Sequence, residues 1–147
     1  MIKNISIQDV VIPNILVIDD EQSICNFFED LFSEFGITID TVTNGSDGLK
    51  RILTQRYALI FLDVKLGDVN GIDLLKVIKK NAPEIPVIMI SAYFTEEIIY
   101  EITSLGAEGY LEKPLSILDI IRLTLTLTNS NILKEWLKNN PYFKHFS

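Results

Sequence analysis

Apolar positions along this chain follow two rhythms. Short unbroken runs, Ile15-Leu16-Val17-Ile18, Ala58-Leu59-Ile60-Phe61-Leu62 and Val87-Ile88-Met89-Ile90, have the length and character of strands buried on both faces. Between them the apolar residues recur every three or four positions, the spacing of one helix face. The first such stripe is Ile24, Phe28, Leu31 and Phe35, with Gly36 as its stop. Residues 37–42 alternate, which predicts a strand with one less buried face at a sheet edge. Asn44-Gly45 marks a turn, and Ser46 is the expected N-cap of a short helix through Leu49, Ile52 and Leu53. After the run ending at Asp63, a loop with Gly67 and Gly71 precedes a helix with Ile72, Leu75 and Ile78 inward and Lys76, Lys79 and Lys80 outward.

Thr95 is the expected cap of a fourth helix, whose Glu96 and Glu97 favour its positive end. That helix buries Ile98, Ile102 and Leu105 and stops at Gly106. A short strand over 109–111 runs into Glu112-Lys113-Pro114, and a fifth helix begins near Ser116 with Ile117, Ile120, Ile121, Thr124 and Leu125 as its inner face. Residues 123–128 also alternate at period two, but helical spacing holds from 117 onward and decides for helix. Ile132, Leu133, Trp136 and Leu137 continue at helical spacing, as an extension or a separate short helix. Packing against the domain is the preferred role of Trp136 over a partner site. Strands alternating with helices predict an α/β unit with a parallel sheet covered on both faces. The expected division is a lead-in over 1–13, one domain over 14–128 and an appended, helical segment over 129–147.

Composition narrows the possibilities. With 48% apolar and 22% charged residues in 147, the chain is of the ordinary globular kind and long enough to bury a core unaided. No apolar run nears the roughly 18 residues of a membrane span. Ser6, Gln8 and Asp9 interrupt the apolar start, so no secretory leader is expected. The lone Cys25 excludes an internal disulfide and agrees with a cytoplasmic setting. A net charge of −7 argues against a general nucleic-acid binder and leaves proteins as the expected partners.

The candidate chemistry lies where the buried runs end. Asp19 and Asp20 follow the first strand, Asp63 the third, Ser91 the fourth and Lys113 the fifth. Open α/β sheets bind ligands at that carboxyl rim, where the strand order reverses. Two carboxylates about 4 Å apart repel by roughly 4 kcal/mol at an effective dielectric near 20, so the cluster requires a cation. All-oxygen ligands favour Mg²⁺, which retains waters and shares phosphate oxygens. Lys113 and the Ser91 hydroxyl suit the remaining oxygens of a phosphoryl group. The reaction this points to is attack of a carboxylate on phosphorus to give an aspartyl phosphate.

Alone, each residue has an ordinary explanation. Asp19 and Asp20 could cap the following helix, Asp63 and Ser91 could serve turns, Lys113 could be solvated and Tyr110 could pack at an edge. Their joint placement on strand ends outweighs these. Cys25 and His145 have no metal-ligand company in the sequence.

Asp19-Asp20, Asp63, Gly71, Ser91-Ala92, Tyr110 and Lys113-Pro114, in this order, resemble the receiver domains of two-component response regulators, over residues 14–127. The resemblance implies a five-stranded parallel sheet of flavodoxin-like order 2-1-3-4-5. It implies that Asp63 is the phosphoacceptor, that Asp20, Asp63 and the Lys65 carbonyl ligate Mg²⁺, and that Asp19 acts on the metal largely through water. Ser91 would bind the phosphoryl group and turn inward on activation, Tyr110 would follow as an aromatic switch, and Lys113 would pair with the phosphate. The Lys113–Pro114 peptide is expected to be cis. The implied donor is a histidine kinase or histidine phosphotransfer protein, and residues 95–125 would face a downstream protein. Homodimerisation stays open.

Leu66-Gly67 departs from the family's usual Met-Pro, which frees the loop after Asp63. Lys65 and Tyr93, two residues beyond Asp63 and Ser91, occupy positions that tune dephosphorylation in similar proteins. No DNA-binding domain fits into residues 129–147, so output should run through protein contact or through further domains of a longer protein. The rival reading is a Mg²⁺-dependent phosphohydrolase with an aspartyl-phosphate intermediate. Such enzymes resembling haloacid dehalogenases carry an acid two residues after the nucleophile; Lys65 stands there and cannot act as that acid. A receiver-like protein used only for interaction is disfavoured because the acids, Ser91 and Lys113 are all present.

Overall fold

In a computed structural model the protein is described over residues 14–140. Five strands, β1 (Ile15–Ile18), β2 (Asp40–Val42), β3 (Leu59–Asp63), β4 (Val87–Ser91) and β5 (Gly109–Glu112), form one parallel sheet in the order β2-β1-β3-β4-β5. The connecting helices are α1 (Gln22–Ser33), α2 (Gly45–Thr54), α3 (Gly71–Asn81), α4 (Glu96–Ser104) and α5 (Ile117–Thr128), and α6 (Asn131–Asn139) follows.

The pleat divides the apolar runs between two cores. Ile15, Val17, Leu59, Phe61, Ile88 and Ile90 face α1, α5 and α6, where Phe28, Phe32, Ile120, Ile121, Leu133 and Leu137 are buried. The alternate residues, Leu16, Ile18, Ile60, Leu62, Val87 and Met89, face α2, α3 and α4 through Ile52, Ile72, Leu75, Ile78 and Ile102. Both faces are thus covered, which is why these runs have no polar break. The aromatic centre of the first core is Phe28 against Phe61, with ring centroids 4.8 Å apart.

Several local expectations are corrected. The buried stripe of α1 is Cys25, Phe28 and Phe32, with Ile24 and Leu31 only half-buried; the helix turns this face toward β1 and β2. β2 starts at Asp40 rather than at residue 37, although it does form the edge. Asn44, not Ser46, caps α2, accepting from the Asp47 amide, and Leu53 is exposed. Lys79 is not a solvent-face lysine: it donates to the Ile85 carbonyl and to Glu108 Oε1. Ile117 is exposed. In α4 only Ile102 is fully buried.

Gly36 and Gly106 end their helices with φ of +70° and +97°, the left-handed conformation that glycine adopts without a Cβ penalty. Thr95 and Ser116 cap α4 and α5 as expected. α5 stops at Asn129, φ 52°, and Ser130 caps α6 as a separate helix by accepting from Leu133 N–H. Asn tolerates that conformation because its short side chain bonds locally. Trp136 then stands edge-on to Phe35, with centroids 4.6 Å apart, so α6 packs against the turn that follows α1. Residues 1–13 and His145 lie outside the described residues.

Candidate functional site

Parallel pairing aligns the carboxyl ends of β1, β3, β4 and β5 on one rim. The order reverses between β1 and β3, and that is where the acids gather. Asp19, Asp20, Glu21 and Asp63 each offer an oxygen within 4.8 Å of the others. Asp19 and Asp63 are buried, while Asp20 and Glu21 stand exposed at the mouth.

Lys113 reaches across from the end of β5. Its ammonium lies 2.7 Å from Glu21 Oε1, 3.0 Å from Asp19 Oδ2 and 3.5 Å from Asp63 Oδ2. Burial opposes the charge on Lys113, but the hydrogen bond to Glu21 and the Asp19 and Asp63 carboxylates outweigh it and raise its pKa. Burial, and then the Asp19 charge, push the Asp63 carboxyl up to about 7, against the pull of Lys113 and the Lys65 amide. That amide donates to Asp63 Oδ1 at 3.2 Å.

The donor set passes a direct test for a hard divalent cation. Asp19 Oδ1 accepts from Glu21 N–H at 2.9 Å. Asp19 Oδ2 is buried, and the cation beside it is Lys113 at 3.0 Å, which Asp19 shares with Glu21 and Asp63. Four clustered acids facing one ammonium leave negative charge that a further cation would offset. Oxygen ligands of this kind suit Mg²⁺.

The loop that follows Asp63 turns back on itself tightly. Gly71 N–H donates to the Val64 carbonyl at 2.8 Å, Lys65 and Asn70 pair as an isolated bridge, and Asn70 caps α3 through Ile72 N–H. This brings the start of α3 against the backbone of Asp63.

Ser91 is buried at the end of β4 and donates to the Tyr93 carbonyl at 3.0 Å. Tyr93 itself is 70% exposed. Tyr110 is 44% exposed, its ring 4.9 Å from that of Phe94. The Lys113–Pro114 peptide is cis. The structure therefore brings Asp19, Asp20, Asp63 and Lys113 together, with Lys65 adjoining. Ser91 lies on the same rim, whereas Tyr93 and Tyr110 are turned outward.

Sequence reasoning missed three participants. Glu21 holds Lys113, and its signal was present as the third acid of Asp19-Asp20-Glu21. Phe94 backs Tyr110 across a separation of sixteen positions that periodicity cannot see. Asp68 reaches the start of α2, accepting from Gly45 and Ser46, a long-range cap with no local signature.

Residues 15–124 match the family described as response regulator receiver domain. Among curated relatives, transcriptional regulatory protein ZraR of Klebsiella oxytoca is 33% identical over 80% of this chain and 26% of its own length. Transcriptional regulatory protein DltR of Streptococcus agalactiae is 31% identical over 82% and 54%. The chain spans about a quarter of the length of the ZraR relatives. A solved receiver domain of the Francisella response regulator 1452 superposes with TM-score 0.74 at 34% identity, covering 80% of this chain and 97% of that one. The receiver domain of NtrX from Brucella abortus gives 0.73 at 31%, covering 80% and 99%.

Proposed function

This chain belongs to the response regulator receiver family of two-component systems, and on that premise we propose that Asp63 is its phosphoacceptor. The family consists of signalling domains that receive from histidine kinases and act on downstream effectors. The observation that carries the assignment to Asp63 is its place: a buried carboxylate ending the central strand and sharing one ammonium, Lys113, with Asp19.

Asp63 Oδ attacks phosphorus while the bond to the donor's leaving atom breaks and its electron pair departs with that atom. Asp20, Asp63 and the Lys65 carbonyl would hold Mg²⁺, with Asp19 acting largely through water. The ion supplies positive charge that offsets the negative charge gathered on the acids and the phosphoryl oxygens. Lys113 exchanges Glu21 for a phosphoryl oxygen. Ser91 leaves the Tyr93 carbonyl to donate to another, and Tyr110 moves inward from Phe94 into the space this opens. Residues 95–125 pass the change to a protein partner. The proposed unit is 14–128, with α6 an appended helix and the chain itself cytoplasmic. Output runs through direct protein contact or through further domains of a longer protein.

Incubation with acetyl phosphate and Mg²⁺, followed by peptide mass mapping, is expected to place one phosphoryl group on the peptide containing Asp63. Modification of any other residue would overturn the assignment. A phosphohydrolase reading finds no support at the position where its general acid should be, since Lys65 stands two residues after Asp63.

Lys65 and Tyr93 follow Asp63 and Ser91 by two residues, and both are exposed. On the proposed reading their bulk hinders the water that attacks an aspartyl phosphate, so we expect slow autodephosphorylation. The double variant Lys65→Asn, Tyr93→Glu should lose its phosphoryl group at least about tenfold faster, less than the roughly 10²-fold that a fully positioned general base contributes. An unchanged half-life in a single-turnover decay measurement would count against this role.

A further inference from the structure

Gly67 leaves the loop after Asp63 without a proline to stiffen it, yet the loop is fastened farther along. Asp68 Oδ1 accepts from Gly45 N–H at 2.9 Å and Oδ2 from Ser46 N–H at 3.0 Å. These are the first two amides of α2, which have no partner within their own helix. Asn44 takes the third, Asp47 N–H, through its side chain at 2.8 Å. The two caps divide the work: Asn44 is local to α2, whereas Asp68 comes from 23 residues away and ties two segments together.

Packing reinforces the tie. A Cβ on Gly45 would lie 2.2 Å from Val69 Cγ2, so the absence of a side chain there lets the loop lie against α2. Asp68 is exposed, and the Gly45 and Ser46 amides hold its carboxyl below the usual range. On its other side the loop is anchored at Asp63 and Val64 by Gly71. The stretch between the anchors carries Lys65, Leu66 and Gly67. Within it Lys65 pairs with Asn70, its amide bonds Asp63 and Leu66 is buried, so the tie at Asp68 adds to these restraints; Mg²⁺ tolerates little departure from octahedral geometry.

We propose that Asp68 is a positioning residue that fastens the phosphosite loop to the start of α2 and thereby sets the Lys65 carbonyl for the metal. This rests on the reading that the Lys65 carbonyl ligates Mg²⁺. In this chain the side-chain tie takes over the restraint that a proline at position 67 would otherwise give.

The test is calorimetric titration of the apo protein with MgCl₂, together with hydrogen exchange. Asp68→Ala should weaken Mg²⁺ binding by about tenfold, the low end of what outer partners of a metal site contribute. The Gly45 and Ser46 amides should exchange faster in the same variant. Asp68→Asn, which keeps one acceptor oxygen, should fall between wild type and Asp68→Ala. Asn44→Ala removes the local cap of α2 and should lower the melting temperature while leaving Mg²⁺ affinity within about threefold of wild type. An Asp68→Ala affinity within about threefold of wild type, or an equal loss in Asn44→Ala, overturns the tie, because outer-shell partners are worth more than that. If wild type binds Mg²⁺ no better than Asp63→Asn, the metal reading itself fails and takes the tie with it. The two failures are therefore told apart by titrating wild type beside Asp63→Asn.

Discussion

Asp63→Asn is expected to take up no phosphoryl group from acetyl phosphate and Mg²⁺, while remaining folded. The lone pair of the amide nitrogen is delocalised into its carbonyl, and the amide oxygen is far less nucleophilic than a carboxylate. No neighbouring acid can replace it: Asp19 is buried and engaged with Glu21 N–H, and Asp20 projects at the mouth from another strand. The same substitution removes a charge that burial and Asp19 both oppose. It weakens the contact to Lys113 at 3.5 Å, the longest of the three that Lys113 makes, and leaves those at 2.7 and 3.0 Å intact. A carboxyl whose pKa the fold raises is disfavoured in its charged form, so replacing it by a neutral amide is expected to be neutral or stabilising near neutral pH. Chemical denaturation without metal should show the variant at least as stable as wild type. Phosphoryl incorporation at wild-type level would sink the phosphoacceptor assignment; a large loss of stability would sink the account of its electrostatics.

Gly71→Ala should damage fold and site together. A Cβ there would stand 2.0 Å from the carbonyl oxygen of Asp63 and 2.8 Å from Val64 Cα. Those atoms belong to the backbone at the end of a central strand, so they yield only by moving β3 or the start of α3. Two effects oppose each other. Alanine inside a helix is better than glycine by roughly 1 kcal/mol, whereas forcing an extra group into packed backbone costs about 3 kcal/mol. The clash wins, and the urea midpoint should fall, reporting a net loss of stability of about 2 kcal/mol. Mg²⁺ affinity should fall as well, because the displaced atoms adjoin Asp63 and the Lys65 loop. Gly67→Ala is the control. Nothing lies within 4 Å of its would-be Cβ, so its stability should stay within about 0.5 kcal/mol or rise slightly through a stiffer unfolded chain. A Gly71→Ala protein as stable as Gly67→Ala would refute the packing argument.

Much of this protein is legible in its sequence. The unbroken apolar runs could only be strands covered on both faces, and their polar ends could only meet on one rim once the sheet was parallel. From that followed the grouping of Asp19, Asp20, Asp63, Ser91 and Lys113. What failed did so at the level of individual faces and caps. Ile24 and Leu31 have the right period for the buried stripe of α1, but Cys25 and Phe32 share that period. A stripe gives the rhythm of a helix and not its rotation, which depends on where β1 and β2 lie against it. Ser46 and Asn44 are both competent caps, and the choice between them was made by how the chain enters α2 from β2.

The order of apolar and polar residues by itself determined the main elements, their parallel arrangement and which polar residues end the strands, because burial and strand polarity act on neighbours along the chain. Only the tertiary structure decided what holds that chemistry in place. Glu21 bonded to Lys113, Phe94 set against Tyr110 and Asp68 fastened to the start of α2 join residues far apart in the chain, by 92 positions in the first pair and 23 in the last. Such pairs have no period to reveal them; they arise when the sheet brings separate loops to the same edge, and a carboxylate finds there the donors that a helix end leaves open.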